Sequence, residues 1–87
     1  MAEVIWKETL KMEEFQQISI PVGASIIHAG WQDNPVIWFR CDPDAPKELV
    51  SMAVTPTGYI LPTSNLIYIG TVSLSGGALI FHIFRYP

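Results

Sequence analysis

Only two histidines, His28 and His82, one cysteine, Cys41, and a pair of nearby aspartates, Asp42 and Asp44, offer this chain the side chains of acid–base, nucleophilic or metal chemistry. Each histidine stands among apolar neighbours, in "SIIHAGW" and "LIFHIFR", a setting in which imidazole is ordinarily a satisfied structural residue. No H-x-H or C-x-x-C spacing accompanies them, and a single cysteine rules out both an intrachain disulfide and an all-cysteine metal site. No metal and no cofactor is therefore expected. Arg40 beside Cys41 favours a thiolate, whereas Asp42 on its other side opposes one. The hydroxyls of Thr55, Thr57, Ser64 and Thr71 lie outside any G-x-S-x-G elbow. In "CDPDAP" the two prolines make turn formation the natural role of the carboxylates. Catalysis is thus the weaker expectation. The enzyme alternative is a small nucleotide-degrading hydrolase with His28 or His82 as its base.

Binding chemistry is better supplied. Trp38 and Arg40 are two residues apart and so share one face of a strand, while Trp31 lies on the strand before. An aromatic plane beside a guanidinium suits a flat anion such as a nucleotide. In "TPTGY", Gly58 lets the backbone of Thr57 and Tyr59 approach a ligand closely. His82 adds an imidazole able to meet a phosphate or a carbonyl. The expected ligand-binding set is Trp38, Arg40, Thr57, Gly58, Tyr59 and His82, and the alternative for both tryptophans is a place in the core.

The elements that must position these residues are strands. In "ALIFHIFRY" alternate residues divide into Ala78, Ile80, His82, Phe84 and Tyr86 on one face and Leu79, Phe81, Ile83 and Arg85 on the other. "VIWKETLK", "QQISIP", "SIIHAGWQ", "VIWFRCD", "ELVSMAV" and "LIYIGTVSL" show the same period of two with β-branched and aromatic enrichment. Residues 47–54 also fit a short helix, although Val50 and Val54 favour a strand. Asp33, Asn34 and Pro35 mark one hairpin, and Ser75, Gly76 and Gly77 mark another. "TPTGYILPTSN", with Pro56, Gly58 and Pro62, reads as a long exposed loop. About seven short strands and no helix predict an all-β fold, a compact antiparallel sandwich or small barrel.

Eighty-seven residues make one domain with one thin core. Hydrophobic residues are 49% of the chain and charged ones 15%, with a mean hydropathy of +0.31, more apolar surface than so small a body readily hides. The last strand is apolar on both faces, and no helical layer exists to cover the second. Self-association through the C-terminal hairpin is therefore expected. A net charge of −3 and five scattered basic residues argue against nucleic acid and anionic membrane as partners. The N-terminus has neither the basic start nor the apolar run of a signal peptide, and "ALIF" is too short to span a bilayer. Together with the lone cysteine, this places the chain in the cytoplasm.

Four stretches, "IPVGASIIHAG", "PVIWFRCDPDAPKE", "TGYILP" and "YIGTVSLSGGALIFHIF", taken in order, resemble a family of small uncharacterised proteins encoded by phages and prophages. Members of that family often read Thr-Gly-His-Pro where this chain has Thr57, Gly58, Tyr59 and Ile60. No role resting on a loop histidine carries over. The resemblance implies an accessory protein acting in the host bacterial cytoplasm. Such a protein would counter host defence by sequestering a small anionic, nucleotide-derived ligand or by capping a host protein. The remaining alternative is a component of the virion or of its assembly.

Overall fold

The structure, a computed structural model, describes residues 2–87. Seven strands form in chain order: β1 (Val4–Thr9), β2 (Gln16–Pro21), β3 (Ser25–Trp31), β4 (Pro35–Cys41), β5 (Lys47–Pro56), β6 (Ile67–Leu74) and β7 (Leu79–Arg85). They build two antiparallel sheets, one of order β1-β4-β3 and one of order β2-β5-β7-β6. The sheets pack face to face as a sandwich, and the fold is not a closed barrel. Among the described residues no helix is long and apolar enough to cross a membrane.

Both hairpins form where the turn residues stand, β3–β4 across Gln32–Asn34 and β6–β7 across a short 3-10 turn, Ser75–Gly77. The left-handed backbone at Asp33, φ 62°, is one that Asp adopts more readily than most residues. Residues 47–54 are strand, the alternative their alternation favoured, and the strand continues further than the sequence suggests. Thr55 and Pro56 extend β5 to ten residues, so the exposed loop begins at Thr57 rather than at Thr55. The length has a use: the first half of β5 pairs with β2 and the second half with β7. Proline is tolerated at this last position because the strand end needs no further ladder donor.

The core lies between the sheets, where Ile37 and Phe39 of β4 meet Val50, Met52 and Val54 of β5, Val72 of β6 and Ile83 of β7. Trp31 of β3 stacks on Phe81 of β7 across the sandwich, with centroids 6.5 Å apart. Leu10 closes one end of the core. Its N–H donates to the Pro35 carbonyl at 2.7 Å, and the crossing chain then passes to the second sheet, where Val54 N–H donates to the Glu13 carbonyl at 2.9 Å. The Gln16 side chain holds this crossing, accepting from Lys11 N–H at 2.8 Å and donating to the Lys11 carbonyl at 2.7 Å.

The two open flanks of the sandwich differ. At β3 and β6 the edges converge so closely that a Cβ added at Gly70 would stand 2.9 Å from the Ala29 Cβ. On the other flank a groove of about 520 Å³ runs between β1 and β2, lined by Glu8, Thr9, Lys11, Gln17 and Ser19.

The final strand is covered unequally. Its inner residues Phe81 and Ile83 belong to the core. On the outer face Phe84 meets Tyr68 edge-on at 5.7 Å, and Tyr86 meets Phe15 edge-on at 5.4 Å while its hydroxyl donates to the Glu14 carbonyl at 2.8 Å. Ala53, directly opposite Phe84, is fully buried although it faces outward. Ile80 and Tyr68 on the same face remain exposed.

Candidate functional site

β7 lies between β5 and β6, and His82 faces outward from it with Thr55 opposite on one side and Thr71 opposite on the other. Both ring nitrogens meet hydroxyls: Thr57 Oγ1 stands 2.7 Å from Nε2 and Thr71 Oγ1 3.0 Å from Nδ1. The Tyr68 hydroxyl continues the chain, 2.6 Å from Thr71 Oγ1. One imidazole thus ties β7 to β6 and to the loop that follows β5.

Tyr68 and Thr71 share a face only because of an irregularity. Residues three apart in a regular strand point to opposite sides. The register shifts between Tyr68 and Gly70, and the extra residue, Ile69, returns Thr71 to the outer face beside Tyr68. Thr57 is held in turn by its own backbone, whose N–H donates to the Ile80 carbonyl at 3.2 Å. The turn that follows uses Gly58 at φ 92°, closed by Tyr59 N–H donating to the Pro56 carbonyl at 3.3 Å.

A hydroxyl both donates and accepts, so Thr57 and Thr71 satisfy either neutral tautomer of His82 and also the imidazolium, whose two N–H groups would both donate. No carboxylate takes part in this network. Thr55, beside His82 in the same row, is buried, and its Oγ1 has no hydrogen-bond partner among the described residues. An unpaired buried hydroxyl is costly, about 1–3 kcal/mol. The site therefore combines a protonatable ring, three hydroxyl groups linked to it and a fourth with unused capacity.

The six residues expected to bind a ligand divide between two surfaces. Thr57, Gly58, Tyr59 and His82 lie at the outer face of the four-stranded sheet or in the loop beside it. Trp38 and Arg40 face outward from β4 in the three-stranded sheet, on the opposite side of the sandwich, so they do not join His82 in one site. Trp38 packs against His28, centroids 5.5 Å apart, and over Gly30, where a Cβ would stand 3.0 Å from its ring. Arg40 is paired with Glu3 at 2.7 Å. Trp31 points inward. The aromatic and the guanidinium are engaged on their own sheet.

A protein-family model matches residues 1–87. The chain belongs to the DUF7352 family, a domain of unknown function. No curated protein and no solved structure matches it.

In this DUF7352 chain Asp42, Asp44 and Cys41 lie outside the His82 network. Asp42 makes a turn, its Oδ1 accepting from Asp44 N–H at 2.9 Å and its carbonyl from Ala45 N–H at 3.1 Å. No group of three His, Cys, Asp or Glu able to hold a metal occurs among the described residues. Cys41 is buried in the core, and burial above all, with the carboxylates of Asp42 and Glu3 adding to it, pushes its thiol pKa up. A raised pKa keeps the thiol protonated at neutral pH, the unreactive form. Native protein is accordingly expected to resist iodoacetamide at pH 7.5 and to take up one carbamidomethyl group in denaturant, as read by intact-mass spectrometry. Rapid labelling of folded protein would contradict that burial.

His82 and Thr57 stand out in the sequence, but Thr55, Thr71 and Tyr68 do not: the two threonines read there only as hydroxyls outside any nucleophile motif, and alternate counting sets Tyr68 and Thr71 on opposite faces. A local bulge has no signature in side-chain type here, since Ile69 looks like any strand residue.

Proposed function

We propose that this DUF7352 chain is a non-catalytic binding protein that holds a small phosphate-bearing ligand of the nucleotide class over His82. The observation that carries the reading is the imidazole with both nitrogens on hydroxyls, no carboxylate in the network, and the unpartnered Thr55 Oγ1 beside it. Protonated, such a ring is a cation whose neighbours all accept or donate, so an oxyanion meets charge and hydroxyl hydrogen bonds with no repelling group in the network. The exposed rings of Tyr68 and Tyr59 offer planes for a base to stack on. The resemblance to phage- and prophage-encoded proteins supplies a setting, the cytoplasm of an infected bacterium. There a non-enzymatic accessory protein of this kind would sequester a nucleotide-derived defence signal or cap a host protein.

One distance favours a second reading. Thr57 Oγ1 at 2.7 Å from His82 Nε2 has the spacing of a nucleophile and its general base, the arrangement a small hydrolase would use. Titration calorimetry with AMP, cyclic AMP and cyclic dinucleotides, followed by chromatography of the recovered nucleotide, separates the two. The binding reading expects heat from at least one probe, intact ligand afterwards, and a 10- to 100-fold weaker complex for His82→Ala, about 1.4–2.8 kcal/mol, because the ring's charge and the partner that orients the Thr57 and Thr71 hydroxyls are both lost. Consumption of the probe by wild type and not by Thr57→Ala would establish the hydrolase instead. Absence of heat and of turnover with every probe would leave capping of a host protein as the activity to pursue.

A further inference from the structure

We propose that the outer face of the four-stranded sheet is a self-complementary interface on which two copies of this chain meet about a twofold axis. The registers identify every residue that β2, β5, β7 and β6 turn outward. None of them is an Asp, Glu or Arg, and Lys47, at the far end of β5, is the one charged residue among them. The chain as a whole carries thirteen charged residues, eight acidic and five basic, so their absence from the centre of its largest sheet is a segregation. The outer face of the three-stranded sheet differs, since Lys7 and Arg40 point outward there.

Apolar side chains stand exposed where the charges are absent. Leu49 on β5 is 66% exposed, Tyr68 on β6 59%, Ile80 on β7 39%, and Phe15, just before β2, 57%. They spread over the width of the sheet, with the neutral hydroxyls of Ser19, Ser51 and Ser73 between and around them.

A second copy is the occupant that this composition fits. In a twofold contact each residue meets the same patch on the partner, so a charged face would set like charges against each other, whereas an uncharged one does not. Two chains of net charge −3 repel at most other surfaces, and this face lets them approach without that cost. A protein partner recruited by a charged surface would find only Lys47, at the edge, and the His82 ring to meet. Size sets the strength of the contact. Four strands about 4.8 Å apart and about seven residues long cover roughly 400 Å² in plan, short of the roughly 800 Å² per partner of a standard interface, which places the contact among the smaller interfaces that associate in the micromolar range. His82 lies on this face, so, if the ligand reading above holds, a nucleotide held there is enclosed by the second copy. The dimer itself does not depend on that reading.

Sedimentation velocity without any nucleotide tests the interface, so that its outcome stands apart from the ligand titration. Wild type between 5 and 100 µM, as an order-of-magnitude range around micromolar association, is expected to sediment at twice the 9.7 kDa of one chain. Leu49→Lys and Ile80→Lys place a charge against its own copy and are expected to sediment as monomers with unchanged far-ultraviolet circular dichroism. Ile5→Lys, on the opposite outer face, is expected to remain a dimer. A wild-type monomer at the highest concentration overturns the proposal, as does a dimer that survives the lysine at Leu49 or Ile80 in whichever variant folds.

Discussion

Ile83→Ala is expected to lower the unfolding free energy by about 4 kcal/mol, near the upper part of the 2–5 kcal/mol range for such truncations. Ile83 is fully buried at the centre of β7, with Val54 directly opposite on β5 and Gly70 directly opposite on β6. The cost of a core truncation depends on how far the surroundings can collapse into the space. Gly70 has no side chain to move into it, and the close approach of β6 to β3 restricts the backbone. The cavity therefore stays open. A domain of this size has roughly 4–13 kcal/mol of stability in all, so the variant should be unfolded over much of a urea titration in which wild type is folded. Tryptophan fluorescence follows the transition. A loss under about 1 kcal/mol would contradict the packing of Ile83.

Gly70→Ala is expected to destabilise by about 2 kcal/mol, against the usual direction of such a change. Replacing glycine in a strand ordinarily gains about 0.4–1 kcal/mol by restricting the unfolded chain, and Gly70 has no positive φ to forbid it. The obstacle is contact. The new Cβ would stand 2.9 Å from the Ala29 Cβ, well inside the roughly 3.5–4.0 Å at which carbons attract. Both atoms are fixed to their backbones, so no rotamer relieves the clash and the edges of the two sheets must part. Ala29→Gly in the same chain removes the opposing atom and should restore most of the loss, a coupling that a double-mutant cycle measures directly. Additive effects would exclude the contact.

Much of the fold was legible because a period of two is a direct consequence of strand geometry. The alternation in "LIFHIFR" sets Ile83 and His82 on opposite faces, as found, but with both faces apolar it does not say which is the inner one, and the Asp33–Pro35 and Ser75–Gly77 turns mark their hairpins. The all-β class follows from the same reasoning, whereas the choice between sandwich and barrel is made only by the two separate sheets. Alternation fixes faces within a strand, however, and leaves partners open. Nothing in "VIWKET" or "QQISIP" states that the first pairs with β4 and the second with β5. The sheet to which each strand belongs decides whether outward residues meet, and so Trp38 and Arg40 lie across the sandwich from His82. The bulges at Ile27 and Ile69 escape for another reason. Each changes the phase of a strand by one residue while leaving its composition unremarkable, and the second brings Tyr68 and Thr71 to the same side of β6.

The pairing of the first two strands bears on how the chain reaches this state. Trp6 pairs with Phe39 and Ile18 with Val50, so β1 and β2 each wait for partners synthesised about thirty residues later, while only the two hairpins join neighbours. Closing such long segments costs entropy before any native contact compensates for it. Refolding on the millisecond-to-second scale of non-local β topologies follows, and until it finishes the apolar "ALIFHIF" segment is open to wrong partners.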